Sequence, residues 1–211
     1  DRLGGYDPYS ASKACAELII SSYRNSFFNA GKYETHRKSI AVARAGNVIG
    51  GGDWAKDRIV PDIIRALKDD MPIEVRNPFA IRPWQLVIEP IGGYLHLATK
   101  MVDDPIKYAT AWNFGPYNDE NINVETLVEE AIKVWGKGNY EKNNIENPLH
   151  EAALLKLDIS QVLNVLRWYP KYDAKTAIQK TIEWYKDFVV EGKDAKTLLT
   201  NLIKEYISET T

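Results

Sequence analysis

The chain has 211 residues, of which 45% are hydrophobic and 27% are charged, and its formal net charge is −2. This balance is typical of a globular protein with a hydrophobic core, and it provides no overall attraction to nucleic acid or to an anionic membrane. No apolar run approaches the about 20 residues that a membrane helix needs, and a single cysteine excludes an internal disulfide, so we expect a cytoplasmic protein.

The first predicted element is a helix that starts at Pro8 and continues to about Asn29. Asp7 is a good N-cap, and proline suits the first helical position. Cys15 lies between alanines and is expected to be a small packed residue. Apolar side chains at helical spacing predict a buried stripe, in which Ile19 and Phe27 could alternatively serve a dimer interface. The stripe consists of Leu18, Ile19, Tyr23 and Phe27.

Within this helix, Tyr9 and Lys13 are four residues apart and therefore lie on one face. An ammonium group near a phenol favours the phenolate and lowers a tyrosine pKa towards the range of a general base. The sequence thus contains a candidate catalytic pair. Because Tyr-x-x-x-Lys also occurs by chance, two ordinary helix residues are the alternative.

Strand and helix patterns alternate after this helix. The apolar run 39–45 predicts a strand of a parallel sheet that is buried on both faces. We then predict a helix over 58–68, a strand over 73–75, an extended segment over 84–88, a helix over 89–102 and a strand over 111–114. The remainder is mainly helical, with helices over 124–135, 158–166, 174–190 and 195–207 and a polar loop over 137–147. This order indicates an α/β fold.

A cluster of three glycines, residues 50–52, follows the first predicted strand and precedes Asp53. A dinucleotide-binding turn has the spacing G-x-G-x-x-G, which brings a pyrophosphate to the N–H groups of a helix. The cluster lacks that spacing, and no other segment has it. We therefore interpret residues 50–52 as part of a substrate-binding loop.

Several segments resemble the extended short-chain dehydrogenases/reductases that modify nucleotide sugars. Residues 4–18 resemble the active-site helix of this family, and residues 44–54 resemble its strand end and substrate loop, in the form that CDP-glucose 4,6-dehydratases have. Residues 81–90 are similar to its nucleotide-binding strand, although related thymidine-nucleotide enzymes have Asp where this chain has Pro83. The C-terminal segments 150–158, 168–170 and 183–185 extend the likeness over nearly the whole chain.

The resemblance implies the C-terminal part of an NAD(P)-binding Rossmann fold, with a parallel sheet whose N-terminal strands are missing, and a smaller mixed α/β substrate-binding domain. Residues 1–50 would belong to the Rossmann domain. Residues 51–211 would form mainly the nucleotide-sugar-binding domain, with the stretch 84–115 returning to the Rossmann sheet. In the family, the cofactor fingerprint and the residues that assist elimination precede the tyrosine, so we expect a fragment that is inactive alone.

The implied activity is the NAD-dependent conversion of CDP-glucose to CDP-4-keto-6-deoxyglucose, a dehydration without net redox change. Tyr9 would take the proton from the sugar O4, and Lys13 would hold the nicotinamide ribose and favour ionisation of the phenol. The substrate would be bound by Asn47, Arg58, Arg82, Asn118, His150 and Glu151. No metal ion is implied, and the full-length enzyme would be a homodimer.

Two alternatives to this function stay open. An NAD-dependent nucleotide-sugar 4-epimerase or decarboxylase of the same fold shares Tyr-x-x-x-Lys, although residues 50–54 argue against it. A non-catalytic protein that binds nucleotide sugars would keep the fold without the chemistry. The individual contacts also have structural alternatives, since Arg58 could be a solvated residue at a helix start and Asn47 a turn residue.

Overall fold

The computed structural model describes residues 4–117, 122–142 and 154–208, in which helices and short strands alternate. The helices are α1 (Pro8–Ser26), α2 (Tyr33–His36), α3 (Ile59–Lys68), α4 (Ile88–Asp103), α5 (Val124–Trp135), α6 (Ala174–Val189) and α7 (Ala195–Ser208). The strands are β1 (Val42–Ala45), β2 (Asn47–Ile49), β3 (Ile73–Val75), β4 (Trp84–Leu86), β5 (Ala111–Phe114) and β6 (Tyr140–Lys142). None of the described helices is long and apolar enough to span a membrane.

The strands of the described chain form parallel pairs. β1 pairs with β5, β2 with β4 and β3 with β6. In register, Val42 lies opposite Ala111, Asn47 opposite Trp84 and Ile73 opposite Tyr140. Parallel strands need a crossover between them, and α3 and α4 both lie between β1 and β5 in the chain. The predicted α/β class with parallel strands is therefore confirmed.

Two hydrophobic clusters hold these elements together. The larger cluster packs α3, α5 and α6 against β3 and β4, with fully buried residues such as Ile63, Leu127 and Ile182. The smaller cluster surrounds Phe114 of β5, whose ring contacts the ring of Trp168 at a centroid distance of 5.1 Å. Burial of this apolar surface contributes about 25 cal/mol per Å² and is the main favourable term in the fold.

Capping residues account for the bounds of α5, which the sequence predicts correctly. Asn123 Oδ1 accepts a hydrogen bond from the Thr126 backbone N–H at 2.8 Å and so satisfies one of the free donors at the start of the helix. Gly136, at a φ of +94°, ends it, because glycine enters the left-handed region without a steric penalty.

α1 differs from its prediction in what it buries. Within the described protein, its only buried residue is Ala14, and the helix ends at Ser26 rather than near Asn29. The predicted buried stripe is wrong, since its four members are between 52% and 65% exposed. Cys15 is also exposed, which corrects the expectation of a packed residue. Amphipathic spacing shows on which face of a helix apolar residues lie, but no described element covers this face.

Three other predictions require correction. β1 is shorter than residues 39–45, and it is not buried on both faces, because Ala43 is exposed. β2 was missed because three residues directly after Gly46 give no periodic signal. Residues Val162–Leu166 form a π-helical turn, where an α-helix was predicted.

Candidate active site

An open cleft of about 1890 Å³ lies between α1, β1, β2 and the first half of α3. Its lining includes five of the predicted site residues, namely Tyr9, Lys13, Asn47, Arg58 and Arg82. The remaining three, Asn118, His150 and Glu151, lie outside the described residues. In the described part of the chain, no group of three or more His, Cys, Asp and Glu side chains could hold a metal ion. The structure therefore brings residues from four separate segments to one cleft.

The two candidate catalytic side chains lie next to each other in the first turns of α1. The Lys13 Nζ atom is 5.5 Å from the centroid of the Tyr9 ring, within the range of a cation–π contact. The helix start that places them is fixed by Asp7, whose Oδ1 accepts a hydrogen bond from the Ser10 backbone N–H at 3.0 Å. Tyr9 is 72% exposed, so its hydroxyl is accessible to a molecule in the cleft.

Positive charge lines the cleft at the start of α3. Arg58 is the N-cap residue of this helix, and its guanidinium Nε lies 4.0 Å from Asp53 Oδ2, with both side chains largely exposed. The first N–H groups of a helix have no partners within the helix and carry the positive end of its dipole. A guanidinium beside such a helix start suits an anion of phosphate type.

Asn47 and Arg82 reach the cleft from the β2–β4 pair. Asn47 is the first residue of β2 and follows the carboxyl end of β1, a common position for ligand contacts in α/β folds. Arg82 lies just before β4 and is 7% exposed. Its Nη1 donates a hydrogen bond to the Ile81 carbonyl at 2.9 Å, which restrains the guanidinium. A restrained side chain loses less rotamer entropy when it binds a ligand.

The glycine cluster packs against α6. A Cβ atom at Gly51 would lie 2.0 Å from Cδ2 of Trp184, so a side chain has no space there, and Gly52 has a φ of +93°. The Tyr185 hydroxyl donates a hydrogen bond to the Asp53 carbonyl at 2.6 Å, and burial raises the pKa of Tyr185 to about 12. Close packing on these rings fixes the loop at the edge of the cleft.

We expect Gly51→Ala to lower the free energy of unfolding by about 1–3 kcal/mol, because the added methyl group overlaps the Trp184 ring and forces the loop or α6 to move. Urea denaturation of the chain measures the change. Gly31→Ala is the control, since a Cβ there would meet only Asn29 Oδ1, at 3.2 Å, and would overlap no ring or backbone atom. Equal stability of the two variants would show that the loop is not held by this contact.

Two charged residues that no sequence pattern indicated also line the cleft. Arg44 of β1 donates from Nε to Glu17 Oε1 at 2.5 Å and from Nη2 to Glu17 Oε2 at 2.7 Å. These hydrogen bonds hold the pKa of the Glu17 carboxyl below its usual value and raise the pKa of Arg44. Glu17 lies one helical turn after Lys13, so the sequence could have placed it on the same face of α1 as the candidate catalytic pair. Arg44 is 27 residues from Glu17 and has no local signal.

The Glu17–Arg44 pair predicts an acid-dependent loss of stability. Because the pKa of Glu17 is lower in the folded than in the unfolded chain, its contribution is complete above about pH 4.5, the unfolded value, and is lost as the pH falls through the folded value. Since 38% of the Arg44 side chain is exposed, water screens the pair and we expect about 1 kcal/mol. Urea denaturation between about pH 6 and about pH 3 should show this dependence, and Glu17→Gln should remove it. An identical pH dependence in that variant would contradict the assignment.

The chain is similar to an enzyme that acts on a nucleotide sugar. It is 43% identical over 209 residues to the CDP-glucose 4,6-dehydratase of Salmonella typhimurium, a match that includes 99% of this chain and 58% of the relative. The chain therefore spans less than two thirds of the length of that relative. No family model matches the chain.

Solved structures with the same fold come from related enzymes. One is the dTDP-glucose 4,6-dehydratase of Bacillus anthracis in complex with NAD. Its alignment with this chain has a TM-score of 0.65 at 20% identity, and it covers 88% of this chain and 54% of the dehydratase chain. Another is the UDP-glucuronic acid 4-epimerase of Bacillus cereus in complex with UDP-glucuronic acid and NAD. Its alignment with this chain has a TM-score of 0.70 at 18% identity, and it covers 86% of this chain and 53% of the epimerase chain. The chain has the Rossmann-type fold of these enzymes over about half of their length.

Proposed function

We propose that this chain, which is homologous to CDP-glucose 4,6-dehydratase, carries the sugar-reactive pair and the diphosphate contacts of a nucleotide-sugar 4,6-dehydratase. The observation that carries the proposal is the cleft, which joins Tyr9 and Lys13 to Arg58 and Arg82. The identity of 43% to the Salmonella enzyme supports CDP-glucose as the substrate and the 4-keto-6-deoxy sugar as the product.

Tyr9 is the acid–base group of the proposed reaction. Its phenolate takes the proton from the sugar O4 while C4 is oxidised, and the Lys13 ammonium lies 5.5 Å from the centroid of the Tyr9 ring. Bound NAD would supply reversible hydride transfer to and from the sugar, so that the loss of water across C5 and C6 involves no net redox change. The neutral tyrosine then remains close to the oxygen of the 4-keto group and can donate a hydrogen bond to it.

Lys13 and Tyr9 also fit the ribose next to the nicotinamide of NAD. The ammonium group has three N–H donors and no acceptor, and ribose hydroxyl oxygens accept such bonds. The sequence has no glycine-rich dinucleotide turn, and the chain spans 58% of the Salmonella relative. We therefore propose that most of the NAD site and the residues that assist elimination belong to further residues of a longer protein, without which the chain is inactive.

Arg58, Arg82 and the start of α3 bind the diphosphate in this proposal. The arginines supply charge-assisted hydrogen bonds, and the Asn47 amide donates to a phosphate oxygen. Asp53, which lies beside Arg58, keeps that guanidinium at the edge of the cleft until an anion competes for it. From the resemblance, we assign Asn118, His150 and Glu151 to contacts with the nucleotide.

The two hydrophobic clusters follow the proposed division into domains only in part. Most of the larger cluster lies in the substrate-binding part, although it includes Trp84 and Leu86 of β4. The smaller cluster joins β5, within the stretch 84–115 assigned to the Rossmann sheet, to buried residues between 159 and 168. The division therefore rests on the resemblance. The exposed apolar side chains Ile19 and Phe27 of α1 support a homodimer in the longer protein. The single cysteine suits a reducing compartment, and we propose a cytoplasmic location.

Turnover of CDP-glucose tests the proposal. We expect no product when the chain alone is incubated with CDP-glucose and NAD, and we expect the 4-keto-6-deoxy product when an NAD-binding segment precedes the chain. Sustained turnover by the chain alone would refute the requirement for further residues. A longer protein that binds NAD and CDP-glucose but forms no product would refute the dehydratase.

A nucleotide-sugar 4-epimerase is the second candidate, because the Bacillus cereus epimerase shares the fold with a TM-score of 0.70. At 18% identity this likeness concerns the fold alone, and it carries less weight than the identity to the dehydratase. Mass spectrometry separates the two, since a dehydratase product has lost one water and an epimerase product has the mass of the substrate. CDP binding by the longer protein without either product would indicate a non-catalytic binding protein.

A further inference from the structure

The helix that carries Tyr9 and Lys13 is attached to the described protein mainly by polar contacts. Its apolar face is exposed, and Ala14 is its only buried residue in the described chain. Hydrophobic burial within the described chain therefore fixes neither the rotation of α1 about its axis nor its height above β1. Both must be set by something else if Tyr9 is to face the cleft.

The Glu17–Arg44 pair is the contact that can set them. Glu17 lies on the same side of α1 as Tyr9 and Lys13, eight and four residues further along. Two parallel hydrogen bonds from one guanidinium fix an orientation as well as a distance. Arg44 is fixed in turn, because its Nη1 donates to Asn113 Oδ1 of β5 at 3.3 Å and the Asn113 amide donates to the Asp158 carbonyl at 3.1 Å.

A second polar contact holds the far end of α1. Arg24 Nη1 donates to the Ala109 carbonyl at 3.1 Å. The rise of an α-helix places Glu17 about 10 Å from Arg24 and Tyr9 about 22 Å from it. If Arg24 acts as the pivot, a sideways displacement at Glu17 becomes about twofold larger at Tyr9. Loss of the Glu17 contact would thus move Tyr9 about twice as far as it moves Glu17.

We propose that Glu17 and Arg44 are positioning residues, which hold α1 at the orientation in which Tyr9 and Lys13 face the cleft. This role rests on the proposed function, because it acts through the Tyr9 hydroxyl. The pair does not contact the reacting sugar in this proposal. Its contribution to turnover comes from placement, since an error of about 1 Å at a reacting group can lower a rate by about 10²-fold.

A nitroxide on Cys15 tests the anchoring in the chain itself. Cys15 is the single cysteine, it is exposed, and it lies two residues before Glu17 on α1. In the electron paramagnetic resonance spectrum, we expect a mobile component to appear in Glu17→Gln and in Arg44→Gln and to diminish again when Glu17→Arg and Arg44→Glu are combined. Unchanged spectra in both single variants would overturn the proposal.

The matched control is Glu34→Gln, which breaks the largely exposed ion pair between Glu34 of α2 and Arg37, the residue that follows this helix. We expect its spectrum to equal that of the wild type. Hydrogen exchange of α5 and α6 shows whether a variant is folded, and protection there should not change. A mobile label combined with lost protection in α5 and α6 would mean general unfolding and would contradict a local role.

Kinetics of the longer, NAD-binding protein test the positioning role. Arg44→Gln should lower kcat about 10- to 100-fold and leave KM for CDP-glucose nearly unchanged, because Arg58 and Arg82 are intact. Arg44→Lys, which keeps the charge but not the two parallel bonds, should recover part of kcat. A normal kcat in a variant with a mobile label would overturn the role. If the wild-type protein has no turnover, the proposed function fails, while the label spectra still decide whether the pair anchors α1.

Discussion

Replacing Tyr9 by phenylalanine is expected to lower kcat for CDP-glucose by about 10²–10⁴-fold in the longer, NAD-binding protein. The substitution removes the hydroxyl that exchanges the O4 proton and retains the ring that lies 5.5 Å from Lys13 Nζ. KM should change little, because the diphosphate contacts proposed for Arg58 and Arg82 remain. Steady-state kinetics with CDP-glucose measures both constants.

Tyr6→Phe is the control for this loss. Tyr6 is 84% exposed, immediately precedes the N-cap of α1 and is not part of the cleft lining. The control should keep the kcat of the wild-type enzyme. A Tyr9→Phe enzyme with a nearly normal kcat would contradict the acid–base role of Tyr9.

Replacing Arg82 by glutamine is expected to weaken the binding of CDP to the chain about 10- to 100-fold. Arg82 is 7% exposed, and its bonds to a phosphate would therefore form largely out of water, where they are stronger. Isothermal titration calorimetry with the chain measures the affinity. Arg82→Lys should retain part of it, since lysine keeps the charge but cannot form two parallel bonds.

Arg37→Gln is the control for a change in net charge. Arg37 is an exposed residue directly after α2, pairs with Glu34 and does not line the cleft. The affinity of this variant for CDP should equal that of the wild type. An Arg82→Gln chain that is folded, by circular dichroism, and binds CDP normally would show that the diphosphate lies elsewhere.

The sequence predicts the elements whose signals are local. Asn123 and Gly136 mark the ends of α5, and Asp173 marks the start of α6, because capping depends on residues within one turn of a helix end. The helix start at Asp7 and the pairing of Tyr9 with Lys13 follow from the same kind of signal. These features therefore required no knowledge of tertiary contacts.

Features that depend on distant partners were predicted less well. The apolar face of α1 suggested burial, but burial needs a covering element, and the described chain provides none. Arg44 and Glu17 form their ion pair across 27 residues, and neither position has a sequence motif of its own. The glycine cluster predicted a substrate-binding loop, and Gly50 and Gly51 line the cleft, but the sequence did not predict that the Trp184 ring takes the space of a side chain at Gly51.

The most direct test of the central claim is a titration of the isotope-labelled chain with CDP-glucose, followed by amide chemical shifts. The claim is that one cleft joins the reactive pair of α1 to the anion-binding residues. We predict shift changes at Tyr9, Asn47, Arg58 and Arg82 and none along α7. Changes confined to α7 or to another surface, with the cleft residues unaffected, would contradict it.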